Sequence, residues 1–143
     1  MNVEAILRTK GRSVATIHPD DTVETAIREL CARNIGALVV SKDGTTVDGL
    51  ISERDVVRGL MDRGADLLAA NVADVMTQRV VTCDPSDTVE GLMSAMTNRR
   101  IRHLPVIRDD CICGIVSIGD VVKNRLDEVE YEAHSLRSFI AGA

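Results

Sequence analysis

Two halves of this 143-residue chain follow one plan, and that repeat constrains the fold more than any single motif. "VATIHPDDTVETAI" (14–27) aligns with "VVTCDPSDTVEGLM" (80–93), so that Pro19 and Pro85 stand 66 positions apart. The offset holds from "IGALVV" (35–40) to "IRHLPV" (101–106), then falls to 65 between "GLISERDVV" (49–57) and "GIVSIGDVV" (114–122). The second copy thus lacks one residue between two strand signals, where a turn tolerates the change. The lead-ins match as well, "NVEAIL" (2–7) with "NVADVM" (71–76).

Each copy reads strand–helix–strand–strand–helix. A β-branched stretch ends at Pro19 or Pro85, which cannot continue a sheet ladder. The following DTVE, an Asp with Glu three residues on, has the capping-box pattern that opens a helix. Val23, Ala26, Ile27, Leu30 and Cys31 then recur at helical spacing, as do Val89, Leu92, Met93 and Met96. Ala37–Val40 is wholly apolar, as a strand covered on both faces would be. Turns at Asp43–Gly44 and Asp109–Asp110 lead into second strands, and second helices start near Ser52 and Ser117. One unit of about sixty residues has too little interior to stand alone, so the two are expected to bury their sheets against each other. The expected fold class is α/β (α+β): two pseudo-symmetric β-α-β-β-α repeats packed sheet to sheet, at 1–66 and 67–126. A C-terminal helix over 127–143 follows, with Leu126, Val129, Ala133, Leu136 and Ile140 on one seam. Folding back on its own module and packing across a dimer are equally open to it.

Composition removes several functions. Tyr131 and Phe139 are the only aromatic residues, too few for a base-stacking platform, and the net charge of −5 opposes a nucleic-acid backbone binder. No apolar run is long enough for a membrane span, and the N-terminal residues lack a signal-peptide core. Four cysteines fit reduced thiols in a cytoplasmic protein. Cys111 and Cys113 read as small core hydrophobes, since no second Cys/His pair stands at zinc spacing. Neither a catalytic dyad of His103 with Cys83 nor any other nucleophile is signalled, so no enzyme is expected. The basic "NRRIRH" (98–103) reads as a local anion pocket.

The repeated Ser-x-x-Asp admits three readings. Ser is a favoured N-cap, and Asp at the third helical position suits the positive end of the helix dipole, so both residues could serve only to cap. A phosphate loop is the weakest reading, because neither copy has P-loop spacing. In the third, the Asp carboxylate accepts from the two hydroxyls of a ribose while Ser and free backbone N–H groups receive a phosphate. Capping and binding are compatible.

With these motifs in both copies and in order, residues 1–126 resemble a tandem pair of CBS domains, a Bateman module. The resemblance implies a non-catalytic sensor with no required cofactor, binding an adenine nucleotide (AMP, ATP or NAD) in the clefts between repeats. It implies ribose contacts from Asp55 and Asp120. Phosphate contacts fall to Ser52, Ser117, Arg102 and His103, with Arg54, Lys10 or a residue of the other copy serving the first copy. It implies adenine-edge segments at Thr16–Pro19 and Thr82–Pro85, with Ile17 and Cys83 facing the base and Gly36 and Ala37 in the same pocket. Gly36 and Ala37 stand where the second copy has Arg102 and His103, so the two sites are not expected to be equivalent. The expected partners are an adenosine-containing small molecule, a second copy of the chain and a separate effector protein, with neither nucleic acid nor membrane. The rival reading is a ligand-free scaffold for dimerisation or partner binding.

Overall fold

In the computed structural model, which describes residues 1–142, the first element is helix α1 (Val3–Lys10). The first repeat follows as strand β1 (Thr16–Ile17), helix α2 (Val23–Arg33), strands β2 (Ala37–Val40) and β3 (Gly49–Ser52) and helix α3 (Glu53–Arg63). A 3-10 turn (Gly64–Ala69) and the short helix α4 (Val72–Val75) lead to the second repeat: helix α5 (Val89–Arg99), strands β4 (His103–Arg108) and β5 (Cys111–Ser117) and helix α6 (Ile118–Gly142). The fold is mixed α/β, with one small sheet to each repeat, β1-β2-β3 and β4-β5. β2 is buried along its whole length. Leu38 and Val40 join the core of their own repeat, and Ala37 and Val39, on the opposite face, are buried as well.

The two lead-in helices exchange places. Val3, Ile6 and Leu7 of α1 join the core of the second repeat, beside Leu92, Leu104 and Val116. Val72 of α4, with Val75 and Met76, joins that of the first, beside Leu30, Leu38 and Ile51. Backbone bonds repeat the exchange symmetrically. Val3 and Glu4 donate to the carbonyls of Asp87 and Pro85, as Val72 and Ala73 do to those of Asp21 and Pro19. The sequence boundary at 66/67 is therefore not a boundary of packing. Gly114 makes room for this docking: a Cβ there would lie 2.6 Å from Leu7 Cδ2. At Gly49 it would lie 2.5 Å from Met76 Sδ and 2.9 Å from the Thr77 carbonyl.

Three local expectations are corrected. The N-caps of α2 and α5 are Thr22 and Thr88, whose hydroxyls accept from the amides of Thr25 and Gly91. Asp21 and Asp87 instead accept from the amides of His18 and Asp84 in the preceding turn. Cys31 and Met93 lie on the exposed edges of their stripes. The first strand of the second repeat shrinks to a single bridge, Cys83 to Val106, because Pro105 stands where Val39 donates its amide to Ala15 in the first copy. The hairpins also differ. With one residue fewer, the second copy closes on a two-residue turn, Asp109 and Asp110 both at positive φ, which lengthens β4 and β5.

α6 runs unbroken past the end of the repeat, and it does not fold back. Leu126, Val129, Leu136 and Ile140 are 47–66% exposed. No helix among the described residues is long and apolar enough to cross a membrane.

Truncating Leu7, a residue of one repeat's lead-in buried in the other's core, should cost about 2–5 kcal/mol. We expect Leu7→Ala to lower the urea midpoint as one cooperative transition, whether followed by circular dichroism or by a probe in the first repeat.

Candidate binding clefts

Both Ser-x-x-Asp motifs sit where a strand hands over to a helix, and both form a reciprocal cap. Ser52 donates to Asp55 Oδ2 from its amide (2.9 Å) and from its hydroxyl (3.1 Å). Ser117 does the same to Asp120 Oδ2 at 2.8 and 2.9 Å, and its hydroxyl accepts from the Asp120 amide. Capping is thus real at both positions, and what remains of each carboxylate differs. Thr77 donates to Asp55 Oδ1 at 3.0 Å, so both oxygens of that residue are engaged and it is only 8% exposed. At Asp120 every hydrogen bond falls on Oδ2, including one of 2.6 Å from Lys10 Nζ, and Oδ1 has none among the described residues.

Two clefts hold these carboxylates, and each draws on both repeats. The first, about 580 Å³, sets Asp120, Ser117 and Ile115 of the second repeat against Ser13–Ala15 and Ile35–Ala37 of the first, with Lys10 at its side. The second, about 610 Å³, sets Asp55 and Ser52 against Val80, Val81 and residues 99–103. Gly36 and His103 line both, so the clefts adjoin. Gly36 presses close: a Cβ there would lie 3.1 Å from His103 Cε1.

Several expected contacts are relocated. Ile17 and Cys83 are 5% and 7% exposed inside their repeat cores, and Thr16, Pro19, Thr82 and Pro85 line neither cleft. Strand alternation turns Ile17 and Cys83 inward, and the cleft walls come from earlier residues, 13–15 and 79–81. Gly36 and Ala37 do line the first cleft. Arg102 lines the Asp55 cleft, not that of Asp120, because each cleft pairs one repeat's entry segment with the other's helix start. Arg54 lies there too, donating to the Arg100 carbonyl at 3.0 Å. Lys10 belongs to Asp120, and its second hydrogen bond goes to the Ile115 carbonyl at 2.7 Å.

The charge is uneven. Six arginines (54, 58, 79, 99, 100 and 102) line the Asp55 cleft against Glu53 and Asp55, and none of the six forms an ion pair among the described residues. The "NRRIRH" run, read as a local anion pocket, supplies Arg99, Arg100 and Arg102, and Arg54 is also identified in the sequence; Arg58 and Arg79 carry no signal there. In the Asp120 cleft, burial favours the neutral acid, but the bond from Lys10 and those from Ser117 outweigh it and hold the carboxyl below its usual range. His103 is held below its ordinary 6.5 by burial first, then by Lys10 and Arg102, against the opposing pull of Glu53 and Asp120. Burial pushes the Cys83 thiol up to about 12, far from a reactive thiolate. No cluster of metal-ligating residues occurs among the described residues.

The His103 shift fixes a pH dependence. Its imidazole is more readily protonated in the unfolded chain, so the unfolded state binds more protons as pH falls through 6.5 and stability drops there. His103→Gln should flatten that part of the curve, read as urea midpoints between pH 7.5 and 5.5.

Comparison with known proteins places this geometry. Residues 3–62 and 72–127 each match the CBS domain family. The mitochondrial CBS domain-containing protein CBSX3 of Arabidopsis thaliana is 36% identical, over 98% of this chain and 72% of its own. The crystal structure of the CBS-domain protein ATU1752 from Agrobacterium tumefaciens superposes with a TM-score of 0.84 at 43% identity, covering 87% of this chain and 99% of that one. The CBS domain pair of protein MJ0100, solved in complex with 5'-methylthioadenosine and S-adenosyl-L-methionine, shares the fold. Its TM-score is 0.78 at 22% identity, over 90% of this chain and 98% of that one.

Proposed function

The chain belongs to the CBS-domain family, and on that premise we propose that it is a sensor that binds an adenine nucleotide between its repeats and reports occupancy to a separate protein. The observation that carries this reading is Asp120: a carboxylate with one uncommitted oxygen, at a helix start, in a cleft that also offers Lys10 and Ser117. Such a carboxylate accepts from ribose hydroxyls, while the helix N-terminus and the ammonium favour a phosphate. AMP, ATP and NAD all present that chemistry. The adenosine compounds bound by the MJ0100 pair support the same class. No chemical step belongs to this reading; the cleft recognises its ligand and the fold responds. Signalling follows if the ligand prefers one arrangement of the repeats to another. The free thiols suit a reducing compartment such as the cytoplasm.

A second reading has one specific observation in its favour. The exposed apolar side chains concentrate on α3 (Val57, Leu60, Met61) and along α6, which is what a homodimer of this chain would cover. Dimerisation alone would make the module a scaffold; with a ligand it is how the sensor is assembled. Truncation after Asp127 should weaken the dimer, and light scattering that finds it unchanged would leave the contact to α3 and the start of α6.

Two measurements test the sensor. Saturating AMP, ATP or NAD should stabilise the fold by about 2.7 kcal/mol at a hundred times the dissociation constant, and flat melting curves for every adenosine compound favour the scaffold. Asp120→Ala should cost roughly tenfold to several hundredfold in AMP affinity by calorimetry, since each hydrogen bond to a charged acceptor contributes about 1.5–3 kcal/mol. Wild-type affinity in a folded variant would reduce Asp120 to a helix cap.

A further inference from the structure

The two clefts are related by the internal repeat, yet the Asp55 cleft offers less to a sugar and more to a protein. Both oxygens of Asp55 are engaged, Oδ1 by Thr77 and Oδ2 by Ser52, and the residue is buried. Arginines surround it. Ser13, Asn34 and Gly36 of the first cleft correspond to Arg79, Arg100 and Arg102 here, and Arg54, Arg58 and Arg99 complete a set of six, all exposed. Against Glu53 and Asp55 they leave four positive charges in excess, within a chain of net charge −5. The rim is apolar as well as cationic. Val57, 64% exposed, lines the cleft itself, and Met61, one turn further along α3, is 88% exposed. At about 100° per residue, Val57 and Met61 form one row on α3, and Arg54 and Arg58 form the row beside it. A small anion would meet the arginines and leave the apolar row in water.

The same chain carries a surface of opposite charge and matching layout. Residues 127–132 of α6 read "DEVEYE", four carboxylates with no Lys or Arg among them, and only Glu128 of the four is in an ion pair among the described residues. Glu130 follows Val129 and Glu132 precedes Ala133, so at about 100° per residue they flank the Leu126–Val129–Ala133 seam on opposite sides. The seam and both carboxylates are exposed, so within one chain the two surfaces do not meet. We propose that the Asp55 cleft is a docking site for a second copy of this chain. Residues 126–133 of one copy's α6 lie along α3 of the other, apolar row on apolar row, with Glu130 and Glu132 among the arginines. In a two-fold dimer the contact is made twice, each chain giving its α6 and receiving its partner's. Arginine suits the task, because its planar group stays charged and pairs with a carboxylate through two parallel bonds. This rests on the homodimer reading above and names the contact that holds it; it does not depend on what the Asp120 cleft binds. The clefts divide their work, one for a ligand and the other for a subunit.

Sedimentation equilibrium of the full-length protein tests this with complementary charge reversals. One variant, Glu130→Lys with Glu132→Lys, sets ammonium groups against the arginines. The other, Arg58→Glu with Arg79→Glu, sets carboxylates against carboxylates. None of the four residues is in an ion pair among the described residues, so circular dichroism should find both variants folded. Each variant alone should dimerise at least about tenfold more weakly than the wild type, because like charges meet across the contact. Mixed in equal amounts, the two should form a heterodimer of near wild-type affinity, since both contacts then pair opposite charges. Arg8→Glu with Arg28→Glu makes the same change of net charge on α1 and α2 and should match the wild type. Equal weakening in that control would assign the effect to net charge and overturn the docking site. Wild-type dimers in both reversed variants, or a mixture no tighter than its parts, would likewise overturn it while leaving the homodimer in place. A wild-type chain that stays monomeric at millimolar concentration would overturn both.

Discussion

Everything in this molecule depends on the exchange of its lead-in helices. Leu7 seats against Gly114 in one repeat, and Met76 against Gly49 in the other, so neither repeat closes its core without a segment from beyond its own end. Burying Val3, Ile6 and Leu7 is worth about 1.5–3 kcal/mol for each side chain, a large share of what a sixty-residue unit could muster alone. The same exchange furnishes residues of both clefts. Lys10 lies at the end of α1 and reaches Asp120; Thr77, just beyond α4, exchanges backbone bonds with Leu50 and reaches Asp55. Core assembly and site assembly are therefore one event.

Divergence of the two copies then follows from few residues. An ammonium on one oxygen leaves Asp120 partly open, while a hydroxyl on the other oxygen completes Asp55. Pro105 removes an amide donor and with it most of a strand. One deleted residue turns an open loop into a tight hairpin. Of these changes only Pro105 falls on a buried position, and it keeps an apolar residue where the first copy has Val39, so the two cores stay alike while the sheets and the clefts do not.

Much of this was legible in the residues. The repeat, the apolar run at Ala37–Val40, the helix starts at Ser52 and Ser117 and the capping by the two Asp residues are encoded locally, by alternation, spacing and capping chemistry. The missed features share a different origin. The exchange of α1 and α4 is a tertiary choice between two similar apolar surfaces, to which "NVEAIL" and "NVADVM" are equally suited. Placing Arg102 with Asp120 assumed that residues of one copy share one cleft, whereas the crossing of repeats pairs it with Asp55. Ile17 and Cys83 carried the right character for a base-facing wall, but strand alternation turns them into the core. The fate of the C-terminal seam depended on what lies opposite it, which periodicity does not contain.

The helix that begins beside Asp120 is also the one that leaves the module. α6 runs 25 residues without a break from Ile118 to Gly142, about 37 Å at the helical rise. Such an element is a lever with its short arm in the cleft: a tilt of about 5° at its first turn carries its far end by ~3 Å. A displacement too small to notice at Ser117 is thereby enlarged, with no intervening joint, to the width of a side-chain contact around Phe139 and Ile140.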